Sequence, residues 1–196
     1  MVDNKGPSKR KLMFAIILTP IFALGLIFLV LWLSLRSHNP KFHLQEFSIP
    51  GLGQTNGFQN SHIVFNVTAR NPNRRVWIFY NALRGSVYYK DHRVAVEPVL
   101  HSHYYQGPKN TTVLERVFSG TMTASTVDNQ RWLEFKNDLV KGTVMFSLKF
   151  TSDVKNKRSV WDTTEHRMRV KCDVGLGPDG SMLHHFRGKR CHVHFK

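Results

Sequence analysis

The chain reads as an all-β-dominated protein, with a single N-terminal transmembrane helix followed by a seven- to eight-stranded antiparallel β-sandwich that carries one short helix. Three observations predict this. An uncharged apolar run, Leu12 to Leu35, stands behind Lys9-Arg10-Lys11. Beyond it, apolar and polar residues alternate with period two in segment after segment, and turn residues separate those segments. The roughly 160 residues after the run are near the common size of one domain, enough for one core and too few for two.

The apolar run exceeds the roughly 20 residues that a helix needs to cross a ~30 Å hydrocarbon core, so 12–35 is expected to be a transmembrane signal anchor. A cleaved signal peptide would have a shorter apolar region and small residues at a cleavage site, whereas this run ends in Trp32-Leu33-Ser34-Leu35-Arg36. Lys5, Lys9, Arg10 and Lys11 face a single acid, Asp3, before the run, so residues 1–11 are expected to be a cytoplasmic tail. The chain would then be a single-pass type II plasma-membrane protein with its C-terminal domain extracellular. Asn66-Val67-Thr68 and Asn110-Thr111-Thr112 are glycosylation acceptors of the kind used on that side of the membrane.

Residues 36–60 are read as a membrane-proximal strand, Phe42 to Ile49, and a loop rich in glycine from Pro50 to Gly57. Residues 61–196 are read as the sandwich. Ile63, Phe65, Val67 and Ala69 share one face and Asn66 points away from it; Val144, Phe146, Leu148 and Phe150 alternate in the same way with Thr143, Met145, Ser147 and Lys149. Met168, Val170, Cys172 and Val174 alternate with Arg167, Arg169, Lys171 and Asp173, a half-buried strand with a charged outer face. Further strands are expected over 76–80, 87–96 with a turn at Lys90-Asp91-His92, 112–118 and 192–195, which together suggest a sandwich. One segment departs from period two. Trp132, Phe135 and Leu139 recur at helical spacing after Asp128, a candidate N-cap, and Gly142 supplies a stop.

Two cysteines occur in the whole chain, both near its end. Alternation puts Cys172 and Cys191 on the inner faces of their strands, so the two could form a hairpin closed by a disulfide, as an oxidising compartment allows. Two unrelated buried thiols are the alternative.

Little points to catalysis. Gly175-Leu176-Gly177-Pro178-Asp179-Gly180 matches the dinucleotide fingerprint, but that motif must open a helix in a βαβ unit with an acid about 20 residues on, and no acid follows here. A hairpin loop explains it better. Among the 11 histidines, His101-x-His103 and His192-x-His194 each share a strand face, yet solvated outer positions account for them and no cysteine pair supports a metal site. No nucleophile elbow, metalloprotease helix or phosphate loop is present. No catalytic residue, metal or cofactor is therefore assigned, and the chain is read as non-enzymatic.

Charge says more. The chain has 28 Lys and Arg against 13 Asp and Glu, a formal net charge of +15, with the excess concentrated after Lys155. A surface of this kind attracts polyanions. The expected topology sets nucleic acid aside and leaves acidic cell-wall polysaccharide, anionic lipid or another plasma-membrane protein as partners. Arg167, Arg169 and Lys171, joined by Arg187, Lys189, Arg190 and Lys196, are the candidate anionic-surface-binding residues.

Asn71-Pro72-Asn73 closing a strand, the aromatic run to Tyr80, Val87-Tyr88-Tyr89, Gln106 ahead of Lys109-Asn110-Thr111-Thr112, and Gly142 opening Thr143-Val144-Met145-Phe146 resemble the plant group-2 late embryogenesis abundant domain. Over nearly its whole length the chain resembles the hypersensitive-response, harpin-induced-like membrane proteins of plants. The resemblance implies a β-sandwich, no catalysis, and a role in the defence response. Protection of membranes or wall-bound proteins during dehydration is the competing class.

Overall fold

The computed structural model describes residues 9–35, 37–158, 161–162 and 165–196. These fall into two compact units, Met1–Ser37 and His38–Lys196. Residues 1–8 of the expected cytoplasmic tail lie outside the described residues.

The first unit is one helix, α1 (Lys9–Leu35, 27 residues), with Pro20 inside it. Among the described residues no helix is long and apolar enough to cross a membrane, a statement about helices only. Pro20, inside the helix, has no backbone N–H to donate. The expected transmembrane signal anchor at 12–35 is thus overturned, and with it the single-pass plasma-membrane location with an extracellular C-terminal domain.

In the second unit the alternating segments form strands β1 (Lys41–Ser48), β2 (Gly57–Arg70), β3 (Trp77–Tyr89), β4 (His92–Gln106) and β5 (Thr111–Thr123), then helix α2 (Asn129–Val140). After it come β6 (Val144–Arg158), β7 (Trp161–Asp162), β8 (His166–Leu176), β9 (Lys189–Arg190) and β10 (His192–Phe195). All pair antiparallel in one ten-stranded sheet, in the order β10-β8-β6-β3-β4-β5-β2-β1-β9 with β7 beside β6. The expected seven- to eight-stranded sandwich is corrected to a nearly closed barrel. Alternation reports only that one face of each strand is buried, which holds equally for two stacked sheets and for one sheet curled on itself.

Two seams complete the curl. β9 pairs with β1 and β10 with β8, and only Cys191 separates β9 from β10, so the C-terminal segment brings both ends of the sheet together. On the opposite side β4 and β5 share one register pair, Ala95 with Gly120. Glycine lets the strands approach there: a Cβ on Gly120 would lie 2.4 Å from Ile63 Cδ1, so any larger residue would push that buried side chain aside.

Aromatic rings from opposing strands fill the interior. Phe65 of β2 meets Phe118 of β5 at 4.8 Å and Phe150 of β6 at 5.7 Å between ring centroids, while Phe47 and Tyr89 flank Phe146. α2 closes one end by setting Phe135 edge-on against Tyr89 at 5.5 Å. Its N-cap is Asp128, whose Oδ1 accepts the Arg131 N–H at 2.9 Å, and Gly142 follows the helix with φ +81°. The loop after β1 is held by fully buried Leu52 and by the Ile49 N–H donating to Gly180 O, so β1 belongs to the same compact unit as the rest.

Buried amides pin the other end. Asn71 donates through Nδ2 to Val76 O at 2.8 Å and Gly107 O at 3.0 Å, and its Oδ1 accepts the Asn73 N–H at 3.0 Å. Gln106 donates to Ala69 O at 2.7 Å and accepts the Tyr80 hydroxyl at 3.1 Å. These residues carried the family resemblance, and their role here is to satisfy backbone groups where strands end inside the protein.

Candidate anion-binding face

β8 alternates as its sequence demands: Met168, Val170 and Cys172 are buried while Arg167, Arg169 and Lys171 are exposed. Cys172 and Cys191 are disulfide-bonded with their Cα atoms 4.4 Å apart. That link sets the register of the last strand, placing His192 opposite Lys171 and His194 opposite Arg169. Arg167 and Lys196 exchange both backbone hydrogen bonds, at 3.1 and 3.0 Å. Exposed Arg190, His192, His194 and Lys196 therefore form an outward row beside Arg167, Arg169 and Lys171. On the far side of that row, Arg190 stands opposite His43 of β1, and beyond β8 the register adds Lys149 opposite Lys171.

Acids temper part of this face. Arg167 pairs with Asp153 at 3.1 Å and Lys171 with Asp173 at 3.0 Å. Partial burial pushes the Asp173 carboxyl up, but hydrogen bonds from the Ser147 hydroxyl and Lys171 outweigh it and hold the group below its ordinary value. Arg169, Arg190 and Lys196 have no carboxylate partner among the described residues. Arg167, Arg169 and Lys196, with Asp153 and Glu165, line a shallow depression of about 520 Å³. Of the three cations in it, Arg169 and Lys196 are the two without an ion pair among the described residues. Burial, then Arg190 and Lys41, lower the His43 pKa below the usual imidazole value.

Not every expected residue joins this row. Lys189 turns its ammonium over the Phe186 ring at 4.8 Å, and exposed Arg187 precedes it after a short 3-10 turn. Lys149 places Nζ 3.9 Å from the centroid of the Tyr88 ring. His43, His192, His194 and Lys149 were missed as members of the face. Pairing Cys172 with Cys191 would have put both C-terminal histidines beside β8, but nothing local announces that β1 borders them.

Of the two acceptor asparagines, Asn110 is exposed on the turn before β5, its Oδ1 accepting the Thr111 N–H at 2.8 Å. Asn66 is half-buried in the middle of β2, between Glu46 and Glu115, and its Oδ1 has no hydrogen-bond partner among the described residues. No group of three or more His, Cys, Asp or Glu able to hold a metal ion occurs among the described residues.

Residues 66–172, more than half of the chain, match the family described as Late embryogenesis abundant protein. The chain belongs to this family. It is 27% identical over 186 residues to NDR1/HIN1-like protein 3 of Arabidopsis thaliana, covering 93% of this chain and 79% of the relative. Protein NDR1 of the same plant is 30% identical over 168 residues, covering 82% and 73%. NDR1/HIN1-like protein 10 is 27% identical over 161 residues, covering 81% and 69%. The chain is thus an NDR1/HIN1-like member of the family, which supports a plant defence or stress-related role. The family match runs from β2 to Cys172 and stops before β9 and β10, the strands that close the barrel and carry the outward row.

Proposed function

We propose that this protein acts in the defence response of plants as a non-enzymatic binding module whose basic face takes an acidic polymer. The observation that supports this is the C-terminal row itself, Arg190, His192, His194 and Lys196, laid beside Arg167, Arg169 and Lys171 by the disulfide and the β8–β10 register. Attraction of this kind is long-ranged at low ionic strength and screened at high. The full chain should bind immobilised polygalacturonate at low salt and release near ~0.5 M, where the Debye length is about 4 Å. It should ignore neutral dextran. Retention in ~0.5 M salt, or equal binding to dextran, would defeat the reading.

A further inference from the structure

A second feature lies on the same outer surface, away from the C-terminal seam. Period two turns Trp77 and Phe79 of β3 outward, and the β3–β4 register sets Tyr105 opposite Phe79 and His103 opposite Asn81. Phe79 lies 4.7 Å from the Tyr105 ring and 6.0 Å from the nearly parallel His103 ring, centroid to centroid. Trp77 is 49% exposed and Tyr105 56%, values at which large rings give up burial they would otherwise gain. The Trp77 ring rests on the backbone at Gly107, where a Cβ would come within 3.3 Å of it. A side chain at 107 would crowd the ring.

Cations frame these rings. β6 runs beside β3, with Lys157 opposite Trp77 and Lys155 opposite Phe79. Arg75, Trp77, Tyr105 and Lys157 line a depression of about 400 Å³. Lys155 is paired with Glu165 at 3.6 Å, whereas Lys157 has no carboxylate within ion-pair distance among the described residues; Asp162 of β7 is its register partner. Aromatic faces are electron-rich and attract the weakly positive C–H faces of a sugar ring, while guanidinium and ammonium groups at their rim take carboxylates.

We infer that Trp77, Phe79 and Tyr105, rimmed by Arg75 and Lys157, form a stacking subsite for an acidic carbohydrate, a uronic-acid oligomer, whose further residues extend along β6 toward the basic row. The inference rests on the proposed binding of an acidic polymer and names its chemistry. Between two polymers that combine stackable ring faces with negative charge, carbohydrate is favoured over single-stranded nucleic acid because the Cys172–Cys191 disulfide belongs to oxidising surroundings.

The test titrates the full chain with a galacturonate oligomer, with polyglutamate as a polyanion without sugar rings, and with oligo-dT, reading tryptophan fluorescence and direct binding. The galacturonate oligomer should perturb the emission, and the perturbation should vanish in Trp77→Phe. Trp77→Ala with Tyr105→Ala should weaken galacturonate binding about ten-fold or more, roughly 1.4 kcal/mol, and leave polyglutamate binding unchanged. Tyr105→Phe should bind as the parent does, since the ring face and not the hydroxyl makes the contact. An unchanged galacturonate affinity in the double variant, at an unchanged melting temperature, overturns the subsite while leaving the basic face intact. Trp77-dependent binding of oligo-dT without binding of galacturonate also overturns it. Failure of polyglutamate and galacturonate alike would defeat the proposed function itself.

Discussion

Breaking the Cys172–Cys191 bond should loosen the whole barrel as well as its last strand. The two residues are 19 apart in sequence, and closing a loop of about 20 residues removes roughly 3 kcal/mol of chain entropy from the unfolded state. For a domain of this size that corresponds to a fall of roughly 6–12 °C in Tm. The bond also stands at the seam. Cys191 N–H donates to Phe42 O at 2.8 Å and Gly188 N–H to Leu44 O at 2.7 Å, so freeing this segment exposes an edge of β1 as well as of β8. Thermal melts of the parent and of a Cys172→Ser, Cys191→Ser double variant measure the first effect. Amide exchange over 188–196 measures the second, and should accelerate before any other region. A double variant melting within about 1 °C of the parent, with unchanged exchange at the seam, would refute this account of closure.

Asn71→Ala should cost about 3 kcal/mol in urea melts, because it strands several buried carbonyls at once. Asp128→Ala should cost about 1 kcal/mol through loss of the α2 cap, seen as a lower urea midpoint. Stability should also fall in acid: the Arg131 N–H holds Asp128 below its ordinary range, Lys90 does the same for Glu134, and Ser147 with Lys171 overcome burial at Asp173. Each carboxylate in the fold releases its proton at a lower pH than in the unfolded chain. The stability they add is complete above their unfolded values and is lost as pH drops below about 4, which melts at stepped pH would show. His43 adds a separate loss that begins as pH falls below about 6.5, because the unfolded chain takes up that proton first; a His43→Gln variant should lack it.

How much of this was legible in the sequence differs by element. α2 could be read closely, since Asp128, Phe135 and Gly142 are local signals and the helix runs where they place it. The inner faces of β2, β6 and β8 were equally clear. Expected strands at 76–80 and 87–96 instead belong to a long hairpin, Trp77–Tyr89 and His92–Gln106, whose first strand is irregular around Ala82 at φ +47°. Strand order was not legible. β2 pairs with β5 and β1 with β9, contacts made across long stretches of chain and signalled by no local pattern. The basic face shares this limit: charges on β8 were plain, yet their joining with Arg190 and His43 depends on how the sheet closes. Arg84 illustrates the consequence, since it stands opposite Thr151, which stands opposite Arg169, so it borders the face although far from it in sequence.

The central claim is that binding depends on a built face and not on net charge. The decisive measurement compares two triple variants of the full chain on immobilised polygalacturonate at low salt. One replaces Arg167, Arg169 and Lys171 with Gln; the other does the same to Arg70, Lys136 and Lys141, exposed residues on β2 and at α2. The account predicts that the first loses most of its affinity and the second little, although both lose three charges. Equal losses would contradict it, leaving a protein that is merely cationic.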